Sequence, residues 1–152
     1  MRLYRLCRAA HRALDGEGAR LYGGRWNTSG VAVVYTSTSL SLAALEYLAH
    51  VNPDDVPGDL VAITLEVPDD ASGIERVQAS ELPAGWERLG ENPTCASLGD
   101  AWARAGRTLA LRVPSAVVPE ETNVLLNPRH ADAAQVRVIA ERPFAFDPRL
   151  VP

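Results

Sequence analysis

TLALRVPSAVVPEETNVLLN, residues 108–127, contains three short apolar segments with prolines between them. Such segments, rich in β-branched residues and bounded by proline, are typical of strands. The predicted strands are TLALRV (108–113), SAVV (115–118) and ETNVLLN (121–127), followed by QVRVIAE (135–141). Helical segments do not alternate regularly with these strands. The pattern therefore favours an α+β fold with a largely antiparallel or mixed sheet over a doubly wound parallel sheet.

The rest of the chain supplies further elements of both kinds. An alternating pattern predicts a strand over 2–8, and the Gly-rich stretch 9–30 reads as a long loop with a helical turn. A hydroxyl-rich TSTS segment offers an N-cap for the next helix, and Asn52-Pro53 ends that helix. Residues 68–92 read as turns with minor strands, and 128–134 as a short helix. The remaining predicted elements are strands at 31–35 and 59–67 and helices at 40–51 and 95–106, the last ending at Gly106.

Composition limits the classes of protein to which the chain can belong. With 152 residues and a net charge of −4, we expect one globular domain over 1–152, with no further segment and no direct nucleic-acid surface. Every basic residue is arginine. Two cysteines without a CxxC motif, and three histidines without ligand spacing, predict neither a disulfide framework nor a metal site. No secretory or membrane-spanning stretch is evident, so a cytoplasmic location is expected.

Glu46 is the most informative single residue. Helical periodicity places it among apolar residues on a helix that is apolar around nearly its whole circumference, which predicts a buried helix. A buried carboxylate needs a partner. Glu46 therefore either pairs structurally with an arginine or lies at the floor of a functional cleft, and Arg25 is the expected partner.

The segment LYGGRWN, residues 21–27, combines backbone freedom with large side chains. Arg25 is either a surface arginine or a bidentate donor for a phosphate or carboxylate. Trp26 is expected to anchor the loop in the core, and Asn27 to be a turn residue. Tyr35 ends a strand just before a helix, where ligand sites often open, but a core tyrosine fits equally well.

Ser115 lies in an apolar segment between two prolines, where it could be functional or a satisfied structural hydroxyl. Asn123 and Asn127 flank VLLN-Pro and are expected in turns. No phosphate-binding glycine loop, dinucleotide fingerprint or GxSxG motif is present. A nucleotide would therefore have to be held by arginines.

Five segments together resemble the RES domain family, the toxins of bacterial toxin–antitoxin pairs. They are Tyr4-Arg5, GGRWN (23–27), VVY (33–35), SLAALE (41–46) and VPSAVVPEETNVLLNP (113–128). The family takes its name from an Arg, a Glu and a Ser, which here are Arg25, Glu46 and Ser115. The resemblance extends over about residues 3–148. It implies a split mixed sheet similar to the ADP-ribosyltransferase toxin fold, with NAD as substrate.

The resemblance also implies roles for individual residues. Glu46 would stabilise an oxocarbenium-like ribose and Arg25 would hold the pyrophosphate or a ribose. Tyr35 would stack on nicotinamide, and Ser115 would hydrogen-bond the adjoining ribose or the amide. Arg5 is a second candidate phosphate ligand, and Asn127 completes the residues expected to bind NAD.

Family members consume NAD by hydrolysis or phosphorolysis, or transfer ADP-ribose to a protein. The acceptor here could therefore be water, inorganic phosphate as co-substrate, or a protein side chain, with no true cofactor. A non-catalytic nucleotide-binding module remains a third alternative. The expected partner is a co-encoded antitoxin of the Xre helix-turn-helix type, which would form a heteromeric complex, block the cleft near Arg25 and supply any contact with DNA.

Overall fold

The structure is a computed structural model that describes residues 1–69, 73–90 and 92–151. Within these residues, seven strands form one mixed sheet with three α-helices, which confirms the α+β prediction. The strands are β1 (Arg2–Arg8), β2 (Val34–Ser37), β3 (Leu60–Glu66), β4 (Ile74–Arg76), β5 (Ala110–Pro114), β6 (Thr122–Leu126) and β7 (Arg137–Pro143). The helices are α1 (Glu17–Tyr22), α2 (Leu40–His50) and α3 (Pro93–Ala105). Short 3₁₀ turns occupy Ala9–His11, Pro53–Asp55, Ala79–Glu81 and Ala131–Gln135.

The sheet consists of two halves that meet in its middle. Its order is β4-β5-β6-β2-β1-β3-β7, with β4 and β5 parallel and the other neighbours antiparallel. β1 pairs with β3 along its whole length, but its register with β2 is the single pair Tyr4 and Ser37. We call this pair the seam. The split in the sheet that the family resemblance implies occurs at this seam.

One face of the sheet carries both α2 and α3. Tyr4 and Ser37 are opposite each other and therefore share a face. Tyr4 packs with Leu6 and Ala43 under α2, while Tyr35, two residues before Ser37, packs with the cluster that contains Trp102 of α3. The other face carries a separate apolar cluster around Leu3, Val34 and Val124, among others. The seam therefore lies between two small cores on the helical face.

Both long helices begin at side-chain caps. Ser39 Oγ accepts the N–H of Leu42 at 3.1 Å at the start of α2, as the hydroxyl-rich segment predicts. Asn92 caps α3 by accepting the N–H of Cys95, and Pro93 follows at the first position. α3 ends at Gly106, whose φ of 62° is left-handed, as predicted.

Helix α2 is less buried than its apolar sequence predicts. Only Leu42 and Ala43 are fully buried, and Leu45 is 44% exposed. The prediction of a buried helix is therefore wrong. The helix lies on the sheet with one face, and the apolar residues of the other side contact solvent.

Two predicted strands differ from the structure. SAVV (115–118) is a turn, because Ser115 Oγ accepts the N–H groups of Val117 and Val118, which a strand would offer to a neighbour. The strand predicted over 31–35 begins at Val34 and continues to Ser37, since pairing with β6 extends to Asn123. Residues 31–33 are buried without strand pairing.

Cys7 and Cys95 are both buried and free. Within the described ranges, no helix combines the length and the apolar character that crossing a membrane requires. The same ranges hold no cluster of three or more His, Cys, Asp and Glu residues placed to bind a metal ion.

Candidate active site

Glu46 lies on the sheet-facing side of α2 beside the seam, with its side chain 20% exposed. Its Oε1 accepts two hydrogen bonds of 2.6 Å each, one from Ser115 Oγ and one from Asn123 Nδ2. Both donors come from the C-terminal third of the chain. The carboxylate is thereby tied to the β5–β6 part of the sheet, although its backbone belongs to a helix packed on β1.

Ser115 has no hydrogen-bonding capacity left for a ligand. A serine hydroxyl has one proton and two lone pairs. Its proton goes to Glu46, and its oxygen accepts the N–H groups of Val117 at 3.1 Å and Val118 at 3.0 Å. The residue is 0% exposed. Ser115 therefore positions Glu46, and the expected contact of Ser115 with the ribose or amide of NAD does not fit this geometry.

The second carboxylate oxygen of Glu46, Oε2, has surroundings different from those of Oε1. Among the described residues no hydrogen bond reaches Oε2, and His50 Nε2, one helical turn further on, lies 4.0 Å away. The His50 side chain is 70% exposed. Glu46 thus offers one oxygen fixed by the protein and one available to a ligand.

Arg25 projects from the loop between α1 and β2 and does not pair with Glu46, so the expected pairing is wrong. Its Nη1 donates to the carbonyl of Trp86 at 2.5 Å, and its Nη2 donates to the carbonyl of Arg88 at 3.0 Å. A guanidinium has five N–H donors. Two of them orient the Arg25 side chain, which leaves three for a ligand.

Tyr35 of β2 holds the Arg25 loop through hydrogen bonds of its hydroxyl group. Its hydroxyl donates to Asn27 Oδ1 at 2.6 Å and accepts the N–H of Trp26 at 3.1 Å. Burial raises the pKa of this hydroxyl far above its ordinary value. A Cβ at Gly24 would lie 2.6 Å from the Tyr35 hydroxyl, which explains why a glycine precedes Arg25.

Asn27 is a buried hub of the loop rather than a simple turn residue. Its Nδ2 donates to the carbonyls of Ala19, Thr28 and Val31, and the residue is 1% exposed. This role was missed because a single Asn after Trp carries no pattern of its own.

Helix α3 fixes the same loop from the other side. Trp26 is 3% exposed, which agrees with its expected role as an anchor, and its ring centroid lies 6.5 Å from that of Trp86. Thr28 donates to the Asp100 carboxylate through both its N–H and its hydroxyl. At Gly99 the helix approaches so closely that a Cβ would lie 1.7 Å from the Trp26 carbonyl oxygen.

The Arg25 loop and the Glu46 network are neighbours on β2. Tyr35 and Ser37 point to the same face, about 6.6 Å apart along the strand. Tyr35 holds the Arg25 loop, while Ser37 donates at 2.7 Å to Asn123, which in turn donates to Glu46. The structure therefore links Glu46 and Ser115, through Asn123, to Ser37 of β2, and links the loop that carries Arg25 to Tyr35 of the same strand.

Two predicted NAD ligands lie elsewhere. Arg5 is on the opposite face of the sheet, because it lies two positions from both Leu3 and Cys7 and pairs with Ile63 of that face. Its Nη2 donates to the carbonyl of His11. Asn127 follows the other end of β6, is 2% exposed, donates to the carbonyl of Ala103 and accepts the N–H of Arg129. Neither residue belongs to the network around Glu46.

Comparisons with known proteins identify the family and the fold of the chain. The family model described as RES domain matches residues 2–147. A relative from Sphingobium sp. (strain YBL2), named Prs ADP-ribosylating toxin, is 41% identical over 139 residues, covering 91% of this chain and 86% of the relative. A Photorhabdus laumondii protein named Toxin Res is 37% identical, covering 99% of this chain and 97% of the relative.

A solved structure shares the fold. A chain of the M. tuberculosis MbcT–MbcA toxin–antitoxin complex superimposes with a TM-score of 0.77 at 19% identity, covering 99% of this chain and 86% of that one. This similarity concerns the fold, whereas the family model and the relatives show that the chain belongs to the RES domain family of toxins.

Proposed function

We propose that this chain is an enzyme that breaks the nicotinamide–ribose bond of NAD, and that it acts as the toxin of a toxin–antitoxin pair in the cytoplasm. The observation that carries the proposal is the state of Glu46. One carboxylate oxygen is fixed by two donors, and the other has no hydrogen bond among the described residues. Such a carboxylate is suited to meet positive charge that develops on a sugar.

The chemistry needs little from the protein beyond this carboxylate. The bond between ribose C1 and the pyridinium nitrogen breaks, and both electrons go to nicotinamide, which leaves as a neutral molecule. The ribose acquires oxocarbenium character. Glu46 Oε2 stabilises this positive charge while it accepts a hydrogen bond from a ribose hydroxyl. Because the leaving group is neutral, no strong general acid is required.

Arg25 supplies the binding charge in this proposal. With two donors held by backbone carbonyls, its remaining N–H groups are oriented for the pyrophosphate or a ribose. Pre-orientation of this kind lowers the entropy that must be lost on binding. Tyr35 contributes through the loop that it supports, since its hydroxyl holds Trp26 and Asn27, the two residues that follow Arg25.

The acceptor distinguishes three possible reactions. Water gives ADP-ribose and a proton, and inorganic phosphate gives ADP-ribose 1-phosphate. A protein side chain as acceptor would make the chain a mono-ADP-ribosyltransferase, which the name of the Sphingobium relative, Prs ADP-ribosylating toxin, favours. All three reactions share the same bond cleavage and the same use of Glu46.

The test is direct. Purified protein is incubated with NAD, with and without phosphate, and nicotinamide, ADP-ribose and ADP-ribose 1-phosphate are quantified by chromatography. We expect nicotinamide release, loss of release in Glu46→Gln, and full release in the control Glu120→Gln, which changes an exposed glutamate. Labelled NAD with cell lysate separates protein modification, seen as a discrete labelled band, from free products. Intact NAD in every arm, with no labelled band, contradicts the proposal.

We also propose that a cognate Xre-type antitoxin covers the site near Arg25 and carries any DNA contact. A chain similar in fold comes from a toxin–antitoxin complex, which supports an antitoxin partner. Binding of NAD to the free protein and to the inhibited complex is compared by calorimetry. Equal affinity in the two samples contradicts a blocked site.

A further inference from the structure

Asn123 occupies a position between two polar side chains on the helical face of the sheet. Its Oδ1 accepts a hydrogen bond of 2.7 Å from Ser37 Oγ, and its Nδ2 donates to Glu46 Oε1 at 2.6 Å. Ser37 is 4% exposed and lies at the seam opposite Tyr4. A carboxylate oxygen accepts hydrogen bonds, so the Nδ2 end of the amide faces Glu46, while the Ser37 hydroxyl donates to the carbonyl end.

Two donors to one oxygen fix a carboxylate more completely than one does. Ser115 alone would allow the Glu46 side chain to rotate about a single contact. Asn123 approaches the same oxygen from β6, while Ser115 follows β5, so Oε1 is held by donors from two different segments. Oε2 is then the oxygen that remains for a ligand.

We propose that Asn123, oriented by Ser37, is a positioning residue that fixes the Glu46 carboxylate and directs its Oε2 toward the sugar of the substrate. The inference rests on the proposed function for the identity of that substrate. Its geometric part, a hydrogen-bonded contact from Asn123 to Glu46, can be tested without turnover.

The contact between Asn123 and Glu46 can be tested by placing a second carboxylate at position 123. The titratable and charged groups on the helix of Glu46, on the same face of β1 and β2, in the Arg25 loop and in the turn that carries Ser115 include His50, Tyr47, Tyr4, Arg8, Tyr35, Arg25, Glu120 and Glu121. His50 approaches within 4.0 Å, and Arg8 is paired with Asp59. A new carboxylate at position 123 would therefore be the acidic group nearest to Glu46 Oε1.

The decisive variant is Asn123→Asp, which preserves size and the bond from Ser37 but replaces the donor by a second carboxylate. Two carboxylates at this distance share a proton, so the acidic limb of the pH profile of kcat moves up by about one pH unit or more. Asn123→Ala removes the donor without adding charge and lowers kcat about ten- to hundred-fold with little change in KM for NAD. Ser37→Ala gives a smaller loss of kcat.

A matched control makes the same change on the surface. Asn52 caps the Pro53–Asp55 turn from an exposed position, and Asp caps equally well. Asn52→Asp is expected to leave both kcat and its pH profile unchanged. Thermal unfolding of each variant establishes that it is folded; if Asn123→Asp is not, the split between kcat and KM in Asn123→Ala decides.

A second measurement separates this inference from the proposed function. The side-chain carboxyl resonance of Glu46, labelled with carbon-13 and assigned by its loss in Glu46→Gln, is followed against pH in wild type and Asn123→Asp. An upward shift of its titration in the variant supports the contact even when no NAD is cleaved, which would count against the proposed function alone. An unshifted titration, or turnover in Asn123→Ala equal to wild type, overturns the inference.

Discussion

Ser115 Oγ donates a hydrogen bond of 2.6 Å to Glu46 Oε1 across 69 positions of sequence. The contact joins a turn after β5 to the middle of α2. Because the same serine oxygen accepts two backbone N–H groups, its proton has one fixed direction. Glu46 and Ser115 are thus one structural unit, whereas Arg25 is held separately by backbone carbonyls.

We predict that Ser115→Ala lowers kcat for NAD cleavage about ten- to hundred-fold with little change in KM, since a hydrogen bond to a charged group is lost. Steady-state kinetics of nicotinamide release measure both constants, and Ser29→Ala, an exposed serine, is the control. A raised KM with unchanged kcat would instead make Ser115 a ligand of the substrate.

We predict that Tyr35→Phe raises KM for NAD, although the aromatic ring is retained. The lost hydroxyl leaves Asn27 Oδ1 and the N–H of Trp26 without their partner, which loosens the loop that carries Arg25. Stability should also fall by about 1–3 kcal/mol. Calorimetric binding of NAD and urea unfolding report the two effects. If stacking on nicotinamide is the only role of Tyr35, binding by Tyr35→Phe will equal that of wild type.

We predict that stability declines in alkaline solution partly through Tyr35. Burial raises the pKa of this hydroxyl in the folded chain, whereas in the unfolded chain it ionises near the ordinary value of 10.0. The unfolded state therefore releases a proton first as pH rises. The stabilisation is complete below that pH and is lost above it, by up to about 1.4 kcal/mol per pH unit.

Urea unfolding between about pH 8 and 11 tests this linkage. Tyr35→Phe should show a flatter decline than wild type at the alkaline end, with Tyr22→Phe, an 85% exposed tyrosine, as the control. Parallel curves for all three proteins would show that Tyr35 titrates alike in the folded and unfolded chains.

We predict that Gly99→Ala destabilises the protein by about 1–3 kcal/mol and weakens NAD binding. A Cβ at this position would lie 1.7 Å from the Trp26 carbonyl oxygen, so α3 and the Arg25 loop must separate. Gly18→Ala on α1 is the matched control, because a Cβ there meets no atom within 4 Å and alanine favours a helix. Thermal unfolding of the two variants should therefore change in opposite directions.

The sequence predicts the elements of the fold better than their contacts. Alternation along β1 correctly groups Leu3, Arg5 and Cys7 on one face, but the pattern does not reveal that Glu46 lies over the other face. That relation depends on the side on which α2 crosses the sheet. The strand expected at 115–118 failed for a local reason, since the Ser115 hydroxyl satisfies backbone N–H groups that a strand would pair.

Only part of the candidate site could be predicted from the sequence, again because contacts between distant segments are not evident from the sequence pattern. Arg25, Tyr35, Glu46 and Ser115 are recognisable from short segments of sequence. Asn123 is not, because its importance comes from facing Ser37 across β2 and β6, and such a register emerges only when the strands pair. An asparagine directly before the apolar residues 124–126 was the available signal.

The position of β6 between β2 and β5 has a consequence for synthesis on the ribosome. Glu46 emerges early, but its two donors are residues 115 and 123 of a chain of 152. A growing polypeptide that stops before Asn123 cannot complete the carboxylate's support. The Glu46 carboxylate therefore gains its full support only after the segments that form β5 and β6 have left the ribosome.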